Sequence, residues 1–145
     1  MDEQLYQLFD EPPALEDYLE LRRATGLSPK AEAQAHGPLQ NSWFFCHVRH
    51  IASGETVAMG RIIGDGGWYF HIADMATLPS HQQRGIGRAV LRRLLDEIDA
   101  RAPEKPYVTL MADPPGQRMY ASMGFVDAHP SLGMMLDSGI TRGST

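Results

Sequence analysis

Hydrophobic residues recur at helical spacing in one long segment of the second half of the chain. Val90, Leu91, Leu94 and Ile98 follow one another at intervals of one, three and four residues. This spacing places apolar side chains on one face of a helix. The pattern predicts an amphipathic helix over residues 86–100, with its apolar stripe turned toward a core.

Two shorter helices are predicted near the start of the chain. Apolar residues on overlapping faces of residues 14–25 favour a helix that ends at Gly26. Ser28 and Pro29 suit the N-cap and first position of a second short helix, through about Ala35. Gly37-Pro38 is expected to end it.

Strand-like segments rich in aromatic and β-branched residues occupy most of the remainder, separated by turns that contain glycine or proline. The predicted strands cover residues 5–9, 41–50, 56–63, 68–78, 107–112, 125–128 and 133–137. Another helix is expected at 114–123. The crossover helix between 68–78 and 107–112 makes that pair parallel. The order predicts an α+β (mixed α/β) fold.

Composition bounds the class of protein. The 145 residues are 43% hydrophobic and 21% charged, which suits a single domain over residues 1–145 with a real core. Residues 138–145 are small and polar, and we expect a frayed tail there. A net charge of −5 disfavours nucleic acid or an anionic membrane as a partner and weakly favours a cationic substrate such as an amine.

The expected location is the cytoplasm. The N-terminal residues are acidic and lack a signal-peptide core, and no apolar stretch is long enough to span a bilayer. The single cysteine, Cys46, excludes an internal disulfide and suits a reducing compartment. Within its aromatic run Cys46 is expected to be a small buried hydrophobe, with a nucleophilic role as the alternative. The sequence does not distinguish a monomer from a homodimer.

A glycine-bearing loop opens the predicted central helix. Residues 82–88 follow a strand-like segment and contain Gly85 and Gly87. Such a loop directs main-chain N–H groups outward at the positive end of the helix dipole, where a phosphate or pyrophosphate binds. A dinucleotide fingerprint would need a glycine where Val90 stands, and the Lys-Ser/Thr pair of the P-loop is absent. An ordinary tight turn before a surface helix is the alternative.

Two motifs together resemble the GCN5-related N-acetyltransferase (GNAT) superfamily. Gln82, Gly85 and Gly87 match its Q/R-x-x-G-x-G/A pattern, and residues 74–79 resemble its fourth strand. Residues 120–125 are similar to its Tyr-x-x-x-Gly-Phe signature. The resemblance implies a mixed, mostly antiparallel sheet of six to seven strands, with two splayed parallel central strands and about four helices.

The resemblance also implies a cofactor site without a metal. Main-chain groups near Met75, Ala76 and Thr77 are expected to pair with the pantetheine of acetyl-CoA, and Tyr120 is expected to act as general acid. Asp113 stands where the family often carries an asparagine that binds the cofactor, although capping the next helix is the simpler role. The pyrophosphate is expected to lie on Gln82, Gln83, Arg84, Gly85, Ile86, Gly87 and Arg88.

The general base is expected to be His71, with Asp74 as the alternative. Matched to the family from the glycine loop, His71 falls where one branch has a catalytic glutamate and another has a histidine of its proton path. Period-two alternation would place 71, 73, 75 and 77 on one face of the strand unless a bulge intervenes. A histidine hydrogen-bonded within the sheet is the other possibility for His71.

The resulting hypothesis is an acetyl-CoA-dependent N-acetyltransferase that transfers an acetyl group to a primary amine in a ternary complex. A regulatory module of the same fold, which binds CoA with weak or no catalysis, is the alternative. The acceptor stays open between a small amine, an amino acid, an antibiotic and a protein lysine or N-terminus, and so does the acyl-chain preference.

Overall fold

The structure is a computed structural model, and it describes residues 1–137. Its internal contacts divide the chain into two compact units, Met1–Leu110 and Met111–Thr145. The single domain over 1–145 therefore stays a prediction. The frayed tail predicted at 138–145 lies outside the described residues.

The first unit is built on one five-stranded sheet with the strands in sequence order. Neighbouring strands are antiparallel except for the last pair, which is parallel. This confirms the mixed sheet and the parallel pair predicted across the central helix. The strands are β1 Tyr6–Phe9, β2 Phe44–His50, β3 Thr56–Gly64, β4 Tyr69–Thr77 and β5 Tyr107–Leu110.

Of the α-helices in residues 1–137, three belong to the first unit and one to the second. They are α1 Leu15–Ala24, α2 Glu32–Asn41, α3 Ile86–Arg101 and, in the second unit, α4 Gln117–Ser122. Helix α3 packs against β2, β3 and β4, whereas α1 packs against β3, β4 and α2. A short 3-10 turn, Pro114–Gly116, leads into α4.

Helix α3 buries the apolar stripe that its sequence predicts. Its side chains Val90, Leu91 and Leu94 are fully buried. Burying each such side chain contributes about 1.5–3 kcal/mol to folding. Gly60 on β3 permits the close approach, since a Cβ there would lie 2.7 Å from Cγ1 of Val90.

Helix α2 differs from its predicted bounds. It begins at Glu32 and continues through Pro38 to Asn41, so β2 starts only at Phe44. The N-cap position is Ala31 and not Ser28, whose carbonyl and hydroxyl oxygens accept hydrogen bonds from Arg22. A cap pattern in the sequence does not reveal that the side chain of Arg22, six residues earlier, occupies the capping oxygen.

The strands predicted at 125–128 and 133–137 are absent from the described part of the chain, which has five strands rather than six to seven. Apolar side chains in this stretch stay largely exposed, as the 88% exposure of Val126 and the 87% exposure of Met134 show. A β-prone pattern indicates that a segment fits a sheet, but it does not supply the neighbouring strand that must pair with it.

Candidate functional site

The glycine loop has the conformation that only glycine adopts readily. Gly85 is the N-cap of α3 and has a left-handed φ of 76°. Gln83, two residues earlier, also has a positive φ, of 60°. A Cβ at Gly85 would lie 3.0 Å from the main-chain nitrogen of Met1. The left-handed conformation therefore favours glycine at this position, and the close approach of Met1 leaves little room for a side chain.

The loop presents main-chain donors to solvent at the start of α3. The first N–H groups of a helix have no acceptor within the helix, and they lie at the positive end of its dipole. Gln82 ties the loop to the end of β4, since its Nε2 donates to the carbonyl oxygen of Thr77 at 3.0 Å. The side chains of Arg84 and Arg88 are exposed beside it. This arrangement suits an anionic group such as a pyrophosphate.

Strand β4 carries a bulge at residues 74–75. On β3, Ala58 and Ile62 lie four residues apart, yet their partners on β4, Thr77 and Ile72, lie five apart. One extra residue on β4 explains the shift. Asp74 has the positive φ of 53° that marks the irregular position.

The bulge changes which side chains share a face of β4. Cross-strand partners lie on one face, and Arg61 and Met59 on β3 are opposite Ala73 and Ala76. His71 and Ala73 therefore share a face with Ala76, and not with residues 75 and 77 as unbroken alternation requires.

Pairing between the two parallel strands covers only the first part of β4. Within the described residues, the register joins residues 69–72 of β4 to 107–110 of β5. Residues 75–77 lie beyond that pairing, and the carbonyl of Thr77 accepts the hydrogen bond from Gln82. Main-chain groups at this edge of β4 are thus not taken by β5.

Asp74 is the centre of a buried polar cluster that also contains Tyr18, Arg22 and Arg61. The Tyr18 hydroxyl donates to Oδ2 of Asp74 at 2.6 Å, and Nε of Arg61 donates to the same oxygen at 2.7 Å. Arg22 donates through Nη1 to Oδ1. The carboxylate is only 8% exposed. Asp74 thereby fastens α1 to β3 and β4.

Tyr18 acts in this cluster as a neutral donor. Burial, together with the hydrogen bond to Asp74, raises the pKa of its hydroxyl to about 12. The cluster could not be predicted from the sequence because Tyr18 and Arg22 lie 56 and 52 positions from Asp74. Spacing along the chain gave no signal for such a pairing.

His71 lies on the same face of the sheet and contacts β5. Its Nδ1 is 2.9 Å from Oγ1 of Thr109, the residue opposite it in the parallel register. Burial, and then the positive charge of Arg61, lowers the pKa of the imidazole below its ordinary value of 6.5. When Nδ1 donates its proton to Thr109, Nε2 carries a lone pair and can accept a proton at neutral pH.

In the second unit, α4 ends in the geometry that the Tyr-x-x-x-Gly-Phe motif predicts. Gly124 has a left-handed φ of 99°. The N–H of Phe125 donates to the carbonyl of Tyr120 at 3.1 Å, and that of Gly124 donates to Ala121 at 3.2 Å. This is a Schellman motif. The Tyr120 and Phe125 rings meet edge to face, with centroids 6.1 Å apart.

The Tyr120 hydroxyl stays protonated at neutral pH. Burial, and then the negative charge of Asp113, raises its pKa. Its ring packs so closely on Gly116 that a Cβ there would lie 2.7 Å from Cε2 of Tyr120. Asp113 occupies the N-cap position before the 3-10 turn, but its carbonyl rather than its side chain accepts a hydrogen bond, from Gly116 N–H at 2.9 Å.

Cys46 is fully buried, as the sequence predicts. Burial, and then the nearby charge of Asp10, raises the pKa of its thiol to about 12. A thiol in that state is a poor nucleophile. In residues 1–137 no cluster of three or more histidine, cysteine or acidic side chains is arranged to hold a metal ion. None of the helices over that range is long and apolar enough to cross a membrane.

Known structures share this architecture. A probable acetyltransferase of unknown function from meticillin-resistant Staphylococcus aureus is 34% identical, with a TM-score of 0.85, and the match covers 92% of this chain and 99% of that one.

Curated relatives are matched over shorter stretches. GCN5-related N-acetyltransferase 1, chloroplastic, from Arabidopsis thaliana is 28% identical over 103 residues, which are 71% of this chain and 51% of that protein. Serotonin N-acetyltransferase 2, chloroplastic, from Oryza sativa subsp. japonica is 35% identical over 74 residues, which are 51% and 36% of the two chains. The match thus spans about half or less of each curated relative.

The family match extends over most of the fold. Residues 30–133 match the family described as the acetyltransferase (GNAT) domain. They include α2, the glycine loop, β4, β5 and α4. The chain therefore belongs to the GNAT acetyltransferase family.

Proposed function

We propose that this acetyltransferase uses acetyl-CoA to acetylate a primary amine by direct transfer in a ternary complex. The observation that carries the proposal is the loop at Gly85, whose left-handed φ of 76° opens α3 beside the edge of β4 that β5 leaves unpaired. Since Gly85 has no Cβ, an anion can approach the main chain of the loop closely. The loop therefore fits the pyrophosphate of acetyl-CoA.

The rest of the proposed acetyl-CoA site follows from the same two elements. Main-chain N–H groups of residues 85–88 would hold the pyrophosphate, with Arg84 and Arg88 adding positive charge. Main-chain groups of residues 75–77 would pair with the pantetheine arm. Gln82 and Gln83 would set the conformation of the loop, through the hydrogen bond to Thr77 and the positive φ. Ile86 holds the loop in place because its side chain is buried in the core. Asp113, in the second unit, is proposed as a further cofactor-binding residue.

His71 is proposed as the general base. When bound, acetyl-CoA supplies a thioester carbonyl that is activated toward attack by a free amine. A primary amine is mostly protonated at neutral pH, so a group on the enzyme must first take its proton. His71 is neutral there and is held by Thr109. Asp74, the alternative base, already accepts hydrogen bonds from three side chains.

Tyr120 is proposed as the general acid. Its hydroxyl carries a proton at neutral pH because its pKa is raised, and it can donate that proton to the departing thiolate. The Schellman motif at the end of α4 and the packing on Gly116 fix the direction of the side chain.

Isotope-labelled acetyl-CoA, incubated with a panel of amines and peptides, tests the proposal. Mass spectrometry should detect label on at least one amine, in an enzyme-dependent manner. Label on none, together with tight binding of acetyl-CoA, would favour the regulatory module instead. A cytoplasmic location and a monomeric or homodimeric state stay predictions, which fractionation and size measurement would check.

A further inference from the structure

A shallow cavity that is open to solvent lies between α2 and β3 in the first unit. It has a volume of about 300 Å³ and is lined by Gly37, Pro38, Asn41, Ser42, Arg61 and Ile63. Ile63 is the cross-strand partner of His71. The cavity therefore adjoins the proposed base on the same face of the sheet.

The charge beside this cavity is positive. Arg22 and Arg61 both pair with Asp74, so two guanidinium groups share one carboxylate. Among the ion pairs of residues 1–137, no other carboxylate joins either arginine. One positive charge is left uncompensated in a largely buried place, where charges act strongly.

Arg61 is the member of the cluster that reaches the cavity. Its Nε donates to Asp74 at 2.7 Å and its Nη1 donates to Ser42 Oγ at 3.2 Å. The Nη2 group of Arg61 donates to neither Asp74 nor Ser42, and the side chain of Arg61 is 16% exposed. The guanidinium is thus held rigidly by two partners while it keeps further N–H groups for a ligand.

We propose that Arg61 binds a carboxylate of the acceptor in this cavity, so that the acceptor is an amine that carries a carboxylate, such as an amino acid. This rests on the proposed function. The acceptor ammonium would lie toward His71 and its carboxylate toward Arg61. The ammonium then lies beside a base that can accept its proton. The carboxylate lies beside Arg61 and balances the positive charge that Asp74 leaves uncompensated.

The test compares pairs of acceptors that differ by a carboxylate: phenylalanine and phenethylamine, tryptophan and tryptamine, lysine and cadaverine. For each pair, the preference for the carboxylate member is measured as a ratio of kcat/KM values and as a ratio of dissociation constants. In Arg61→Gln this preference should fall at least tenfold, since a charge-assisted hydrogen bond is lost. Amine basicity cancels because the same pair is compared in both proteins.

Variants at Asn41 test the charge without disturbing the buried cluster. Asn41 is exposed at the cavity rim. Asn41→Asp should lower the preference several-fold and Asn41→Lys should raise it. Arg61→Lys should retain part of it, and Arg92→Gln, on the exposed side of α3, should leave it unchanged.

The two proposals fail in different ways. Acetyl transfer to the plain amines with the same preference in Arg61→Gln and in the parent would overturn the carboxylate subsite and leave the acetyltransferase intact. Binding of no carboxylate member, or better binding of the plain amines, would also overturn the subsite. Carboxylate-selective binding that Arg61→Gln abolishes, without acetyl transfer to any acceptor, would support the subsite and contradict the proposed function.

Discussion

At the scale of single residues, Asp74 and His71 differ in their surroundings, and this difference suits them to different tasks. Asp74 is buried and held by two arginines and a tyrosine, so it is suited to fixing β4 and α1. His71 lies on the same face with one hydroxyl partner and a lowered pKa, so it is suited to proton transfer. Two neighbouring titratable side chains thus have different proposed tasks.

Tyr120→Phe should lower kcat by roughly 10²-fold or more, because it removes the proton donor for the leaving thiolate. The affinity for acetyl-CoA should barely change, since the ring and its packing on Gly116 are kept. Steady-state kinetics and calorimetric binding measure the two effects. An unchanged turnover would show that the hydroxyl only packs.

His71→Ala should remove the acidic limb of the pH profile of kcat/KM. A base must be unprotonated, so in the parent the rate should fall as pH drops through the lowered pKa, below about 6.5. Activity of the variant should recover at high pH, where the amine loses its own proton. Thr109→Ser keeps the hydroxyl beside Nδ1 and serves as the control. If Asp74→Asn removes the limb and His71→Ala does not, Asp74 is the base.

Asp74→Asn should lower the free energy of unfolding by about 3 kcal/mol, because it leaves two buried guanidinium groups without a counter-charge. Asparagine tolerates the positive φ of 53° at this position, so the change removes charge without adding backbone strain. Urea denaturation measures the loss. Asp10→Asn, which breaks an exposed pair with Arg93, should cost under about 1 kcal/mol. Equal losses in the two variants would contradict the role of the cluster.

At the scale of elements, the sequence predicts best those helices and strands whose ends are determined by residues within the same segment. Helix α3 was predicted almost to its ends because its apolar stripe and its glycine cap act within one segment. The start of α2 and the strands at 125–128 and 133–137 were predicted wrongly because each depends on a tertiary partner that the local pattern does not show. The bulge at Asp74 was not predicted: the sequence indicated only that a bulge in this strand would change which residues share a face with His71.

Gly85→Glu should abolish acetyl-CoA binding, because the side chain would bring bulk and negative charge to the proposed pyrophosphate site. Part of any effect would come from strain at a φ of 76° and part from crowding against Met1, so two control variants are needed. Gly54→Glu reproduces the strain, since Gly54 has a φ of 70° and open space around it in the turn between β2 and β3, and Gly85→Ala reproduces the crowding without the charge. A thermal-shift titration compares the three variants. Parent-like binding by Gly85→Glu would overturn the assigned site.

At the scale of the whole molecule, total charge is a weaker guide to the ligand than local charge. A net charge of −5 suggested a cationic acceptor. The two arginines that share Asp74 make the cavity beside β3 locally positive. The two observations agree if the acceptor is both an amine and an anion. The family and the glycine loop could be predicted from the sequence, whereas this cluster needed the fold.

Amine acetylation by this chain is tested by the rate of CoA thiol release from acetyl-CoA, measured against amine concentration. The release should depend on an amine, saturate with it, and fall roughly 10²-fold in Tyr120→Phe. Release that no amine increases, from a protein that binds acetyl-CoA through an intact loop, would contradict the claim that this chain is an N-acetyltransferase.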